Sequence, residues 1–286
     1  MIRYRDGRTF DQPGGQDKLL AALYGHALGR AVLKPLVQPC VSKAAGWLLS
    51  TRLSKVFIKP FIRSSGIDMS QFEKTEYRSY NEFFSRSILP GARLIRPEPE
   101  ALIAPCDSKL TVLPITREGR FALKHTEYTV SSLLKNPDLA ARYEGGYALI
   151  FRLTVDDYHR YCYVADGTKG ENIRIPGMLH TVNPIANDVY PIYKENAREY
   201  CVLHNELFGD ILIMEVGALM VGRIVNHHSA VQVRRGQEKG YFQFGGSTVV
   251  LLLEKNKAAI DEDILANSAE NIETIVKMGE KIGHAC

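Results

Sequence analysis

The chain has 286 residues, 45% of them apolar, so it can bury a sizeable core as one large domain or as a domain with an appendage. A formal net charge of +4 is too mild to argue for nucleic acid over the chain as a whole, although the positive charge gathers near the N-terminus. The five cysteines show no CxxC spacing and the opening Arg3, Arg5, Asp6 and Arg8 lack an apolar core behind them, so a reducing cytosol is expected; no apolar run reaches the roughly 18 residues of a spanning helix.

Between Lys18 and Arg63 there are eight basic residues (Lys18, Arg30, Lys34, Lys43, Arg52, Lys55, Lys59, Arg63) and no Asp or Glu. They are interleaved with apolar residues at helical spacing, among them Leu19, Leu20, Leu23, Trp47 and Leu48, while Pro35, Pro39 and Pro60 divide the region into short helices. Basic amphipathic helices suit the surface of an anionic bilayer, with apolar faces among the acyl chains and Lys/Arg among the headgroups. The same pattern also fits a helical appendage packed on the domain with a solvated basic face. Nucleic acid is the weaker option, because no recognised binding motif accompanies the charge.

Tyr77 to Arg86 predicts a short helix anchored by aromatic side chains, and the prolines at 90, 97, 99 and 105 then make an extended stretch that delivers the chain to Asp107. Asp107 sits between apolar segments and needs a hydrogen-bond partner, or else serves as a turn residue. From residue 110 onward short strands and turns prevail. Tyr147 to Thr154 reads as a strand and leads to His159, whose imidazole in an aromatic setting suits a proton carrier or a structural histidine. His180 follows, then strands around Cys201–His204 and Ile211–Val216, bends at Gly217 and Gly222, and a polar turn over 234–240. A short helix near Asp261–Leu265 and a strand over Glu273–Met278 close the chain. His159 and Cys162 are spaced like a ligand pair, but no second pair matches them, so no metal is expected.

The stretch 239–254 carries the sharpest signal. Gly245 and Gly246 run into Ser247, and Val249 to Leu253 read as a fully buried strand. A serine at the mouth of a core strand, preceded by a glycine whose carbonyl no side chain shields, could attack the peptide bond before it. The same residues also suit a glycine turn in which Ser247 or Thr248 bonds the backbone. A serine-hydrolase elbow is not formed, because valine stands where the last glycine of G-x-S-x-G belongs. The strand count and glycine pattern predict an α+β fold, predominantly β, curved or barrel-like, with N-terminal amphipathic helices.

Taken in order, Tyr80-Asn-Glu-Phe-Phe84, Pro90-Gly-Ala-Arg93, Asp157-Tyr-His-Arg160, His180-Thr-Val-Asn-Pro184, Val216-Gly-Ala218 and Phe244-Gly-Gly-Ser-Thr248 resemble the phosphatidylserine decarboxylase family over roughly residues 75–283. The resemblance implies a membrane-associating region over 1–67 and a catalytic domain over 68–286. It implies cleavage between Gly246 and Ser247, giving a two-chain enzyme of residues 1–246 and 247–286. It further implies a pyruvoyl group made from Ser247 that forms a Schiff base with phosphatidylserine, and a peripheral place on the cytoplasmic side of the membrane. Asp107, His159 and Ser247 match the family's catalytic positions. One departure stands out: many members carry a second histidine where this chain has Cys162, so either His159 does both jobs or another group, such as His180, shares them. In this reading Asp107 orients His159, and His159 takes the Ser247 proton. A decarboxylase for another serine- or amino-acid-bearing substrate and an uncleaved lipid-binding module are the alternatives. Oligomeric state beyond the two chains is left open.

Overall fold

The computed structural model describes residues 1–10, 20, 22–123, 126–183, 186, 189–219, 223–243 and 247–286. Its frame is an eleven-stranded sheet, and the sequence explains the middle of it. Ser247–Leu253 is buried at every position. It pairs antiparallel with Gly209–Val216 on one edge and Tyr147–Leu153 on the other. A strand with both edges paired and both faces covered needs apolar residues throughout rather than in alternation, and Val249 to Leu253 supply them.

The order across the sheet is Val231–Val233, Gly167–Lys169, Arg198–Asn205, Gly209–Val216, Ser247–Leu253, Tyr147–Leu153, Ser108–Pro114, Glu273–Val276, Ile2–Arg3 and Thr9–Phe10, with Ile173–Ile175 also pairing to Arg198–Asn205. The α+β class is as expected, with strand exceeding helix. Of the two shapes anticipated, the barrel is ruled out: the sheet ends in short edge strands, Val231–Val233 and Thr9–Phe10, and does not close. Ile2–Arg3 lies parallel to Glu273–Val276. Arg5 reaches Asp261, Asp263 and the Lys281 carbonyl, and Arg3 reaches Asn267 and Glu270. The first residues of the basic region are therefore sewn to the last segment of the chain.

The N-terminal helices follow their proline breaks. Ala27–Leu36 turns Leu33 into the main core beside Tyr24 and Val37. Pro39–Leu49 begins on a proline, where no backbone donor is required. A 3₁₀ turn, Arg52–Phe57, leads to Ile58–Ser65, which stops at Gly66 with φ +65°, a conformation glycine adopts without strain. These helices bury one side in a second cluster of Ile58, Tyr77, Tyr80, Phe83 and Phe84. Asn81 Nδ2 donates to the Gly46 carbonyl and Ser50 Oγ at 2.8 Å, tying the short helix Tyr80–Phe84 to Pro39–Leu49. Leu28, Trp47, Leu48, Leu53, Val56 and Phe57 stay exposed. Lys18, Leu19, Pro184 and Gly222, which figured in the sequence reading, lie outside the described residues.

A small sheet of Ile224–Asn226, Glu238–Phe242 and Arg160–Cys162 completes the ground on which the site is built. Gly240 sits at a register shift there, and a Cβ on it would lie 2.0 Å from the Val225 carbonyl oxygen. The next residue back, Lys239, is fully buried and donates at 2.7 Å to Glu215 Oε1 and to Asn226 Oδ1. That pair bolts the small sheet to Gly209–Val216 of the large one, and removing either charge alone would strand the other in the core.

Candidate active site

Register decides which side chains meet. Ser247 stands opposite Leu153 on the neighbouring strand. Immediately after Leu153 the chain turns, with Asp157 N donating to the Thr154 carbonyl at 2.9 Å. The return leg places His159 just before Arg160–Cys162, and Phe242 N donates to the His159 carbonyl at 3.0 Å. The turn thus brings His159 back beside the head of the serine strand. His159 Nδ1 lies 3.2 Å from Ser247 Oγ, and both residues are fully buried.

The other ring nitrogen fixes the proton. His159 Nε2 is 3.0 Å from the Thr154 carbonyl oxygen, which only accepts, so Nε2 carries the hydrogen of the neutral ring. Nδ1 then offers a lone pair to the Ser247 hydroxyl. Phe84 covers the imidazole, with ring centroids 4.0 Å apart and planes at 30°. Burial, and next the nearby Arg86 guanidinium, lower the His159 pKa to about 3. Arg86 itself is buried, lying over the rings of Phe72 at 4.4 Å and Phe83 at 4.9 Å. The site therefore holds an uncharged imidazole in hydrogen-bond reach of a buried hydroxyl. That is the arrangement of a general base poised on a nucleophile.

Asp107 is bonded not to His159, as the sequence reading expected, but to other groups. Its carboxylate accepts from Arg93 Nε at 2.9 Å, from Lys277 Nζ at 3.2 Å and from Met278 N at 2.9 Å, and makes no hydrogen bond to His159. The physical reason is charge: a nearly inaccessible carboxylate costs less beside two cations and a backbone donor than beside a neutral ring. Burial would raise the Asp107 pKa, and the bond to Arg93 with the charge of Lys277 more than reverses this, leaving it lowered. Where an aspartate was anticipated behind His159, the Thr154 carbonyl stands instead.

Cys162 is buried on the strand beyond His159, with its N–H donating to the Pro105 carbonyl at 2.9 Å. Burial, with the charges of Glu238 and Asp107, pushes its thiol up to about 12, so it is protonated at neutral pH and poorly suited to serve as a base. His180 is also separate from the pair. Its ring stacks on Tyr190 at 4.6 Å, and Nδ1 lies 3.4 Å from Tyr24 Oη, beside the N-terminal helices. Burial lowers its pKa. Gly246, the other half of the cleavage junction, lies outside the described residues. Among the described residues no group of three or more His, Cys, Asp or Glu could hold a metal.

The sequence reading missed Thr154, Phe84 and Arg86 as parts of this site. A backbone carbonyl carries no residue signature, and so Thr154 could not be singled out. Phe84 and Arg86 stood in a segment read as an anchoring helix and, up to Phe84, as a motif of the resemblance, with no part in the site assigned to either.

The profile of the phosphatidylserine decarboxylase family matches residues 80–284. The chain is 48% identical over 265 residues to phosphatidylserine decarboxylase proenzyme 2 of Clostridium acetobutylicum, covering 92% of this chain and 91% of that protein. It is 38% identical over 293 residues to the phosphatidylserine decarboxylase proenzyme of Desulfitobacterium hafniense, covering 99% and 98%. The corresponding proenzyme of Fusobacterium nucleatum is 38% identical over 271 residues, covering 93% and 90%.

Proposed function

Because the chain belongs to the phosphatidylserine decarboxylase family, we propose that it cuts itself between Gly246 and Ser247 and then converts phosphatidylserine to phosphatidylethanolamine and carbon dioxide. The observation that carries the reading is the 3.2 Å approach of His159 Nδ1 to Ser247 Oγ at a glycine–serine junction. His159 takes the hydroxyl proton as the oxygen attacks the Gly246 carbonyl carbon. The peptide C–N bond breaks as the ester C–O bond forms, which frees the amine of residue 247. Loss of the Cα proton then expels the Gly246 carboxylate and leaves dehydroalanine. Its imine tautomer takes up water and releases ammonia, so that residue 247 ends as a pyruvoyl group.

Ser247 suits this product because its strand holds it buried beside His159. The ketone, once formed, supplies a sink for the electrons left when carbon dioxide departs. His159 is then the group placed to pass a proton to the substrate carbon that lost carbon dioxide. Intact mass tests the reading directly: a purified protein that carries two fragments, the smaller beginning at a blocked residue 247, supports it, and a stable single chain of about 32.1 kDa that decarboxylates would overturn it.

The pH dependence of cutting follows from burial. An imidazole with a pKa of about 3 stays uncharged from about pH 5 upward, so the base is fully available across the range in which an exposed histidine titrates. Cleavage of freshly made precursor, followed by mass spectrometry, should therefore vary by less than about twofold between about pH 5 and pH 8. A rate that falls as pH drops through about 6.5 would point to a solvated histidine as the base instead.

A lipid substrate has to be met at a surface. No helix among the described residues is long and apolar enough to cross a membrane. Trp47 is 73% exposed and Leu53 80%; Lys43 shares the helix of Trp47, Arg52 and Lys55 share that of Leu53, and Lys59 lies in the helix that follows, none with an acidic neighbour in sequence. These helices suit peripheral attachment to an anionic leaflet, as on the cytoplasmic side of a cell membrane. Sedimentation with anionic liposomes should fall steeply as salt rises from about 0.05 M to about 0.5 M, and Trp47→Ser with Leu53→Ser should weaken it about tenfold or more while leaving self-cleavage intact. Equal binding to neutral and anionic liposomes would count against the charge-based part of the reading.

A further inference from the structure

The turn that presents the Thr154 carbonyl to His159 is held by charge. Asp157 Oδ2 accepts from Thr154 N at 2.7 Å, from Thr154 Oγ1 at 2.9 Å and from Lys109 Nζ at 2.6 Å. Lys109 Nζ also donates to Thr154 Oγ1 at 2.5 Å. The Asp157 N–H closes the turn on the Thr154 carbonyl, so that this oxygen receives both Asp157 N and His159 Nε2. Every polar atom of Thr154 is thereby committed. Lys109 projects from Ser108–Pro114, a strand next to Tyr147–Leu153, so the clamp spans two strands of the main sheet as well as the turn. Its two charged side chains are only 6% and 11% exposed.

We propose that Lys109 and Asp157 are positioning residues for self-cleavage: they lock the Thr154–Asp157 turn so that the Thr154 carbonyl holds His159 Nε2–H and turns Nδ1 onto Ser247 Oγ. This rests on reading His159 as the cleavage base. The need for charge is physical. A four-residue turn at the end of a strand has other conformations open to it, and a lone carbonyl binds an imidazole about half as strongly as an anion does. What a carboxylate behind the histidine would do by attraction, this site does by rigidity. A displacement of about 1 Å of a catalytic group costs up to about a hundredfold in rate, so the lock matters more than the strength of the single bond it aims.

The test uses the full chain. Asp157→Asn, which keeps the shape, and Lys109→Met should each slow cleavage by roughly tenfold or more, while Lys109→Arg should cut at close to the parent rate. Because the two residues act as a unit, the double variant Lys109→Met/Asp157→Asn should be no slower than the slower single one. A structural role alone is separated by a second readout. In the uncut Ser247→Ala background, the slowly exchanging Nε2–H proton of His159, assigned by its loss in His159→Gln, should be seen by NMR. It should broaden or vanish when Asp157→Asn is added, with the thermal transition retained. Persistence of that signal in Asp157→Asn, or parent-rate cleavage in both single variants, overturns the proposal. Normal cleavage in His159→Gln overturns instead the reading of His159 on which it rests.

Discussion

Ser247→Ala should yield one uncut chain of 286 residues with no decarboxylase activity. The loss should be complete rather than partial because, among the described residues, His159 Nδ1 has no other hydroxyl partner. Thr248 is adjacent in sequence, but successive residues of a strand face opposite sides, and its backbone is fixed by pairing to Arg152 and Val216. The fold should survive, since the change removes one oxygen and one hydrogen bond, worth about 1 kcal/mol. Intact mass after prolonged incubation checks it. Cutting in this variant would mean that the attacking oxygen comes from elsewhere.

The second large effect falls on His159. His159→Gln should retain a donor for the Thr154 carbonyl and fill much of the space against Phe84, yet it offers no base of comparable strength to Ser247, so cleavage should slow by about 10²–10⁴-fold. The companion variant Cys162→Ala separates the roles. A buried, protonated thiol contributes packing, so its loss should cost about 1 to 2 kcal/mol of stability while cleavage and decarboxylation proceed near normally. The reverse pattern, with Cys162→Ala uncut and His159→Gln cut but inactive, would make the cysteine position the processing base. Rates of cleavage and of carbon dioxide release, measured separately, distinguish the two.

The parts of this architecture that were legible in the sequence are those carried by side-chain pattern. Val249 to Leu253 announced a central strand because burial on both faces demands an unbroken apolar run. The expected strands at Tyr147–Thr154 and Ile211–Val216 differ from Tyr147–Leu153 and Gly209–Val216 only at their ends. What could not be read was pairing across distance. Ile2–Arg3 reaches the sheet through Glu273–Val276, some 270 positions away, and two-residue strands have no periodicity to detect. Asp107 was paired with His159 because it matches the family's catalytic aspartate, whereas in space Arg93 and Lys277 bond to it. The group that does stand behind His159 is a main-chain oxygen, present at every residue and therefore invisible in a sequence.

A cut before Ser247, as proposed, would leave the last forty residues threaded through the sheet. The segment that begins at Ser247 runs between two full-length neighbours, and its later strand is clasped by Ile2–Arg3 while Arg5 grips Asp261 and Asp263. Severing the backbone at 246–247, as proposed, would remove a tether but none of these contacts, so the small fragment would have no way out short of melting the sheet. Its escape and global unfolding become a single event. The uncut chain unfolds and refolds as one molecule, at a midpoint independent of concentration; the cut protein has to find its other half again, and its midpoint should rise with protein concentration. Assembly thus becomes a one-time opportunity, taken while the chain is still continuous.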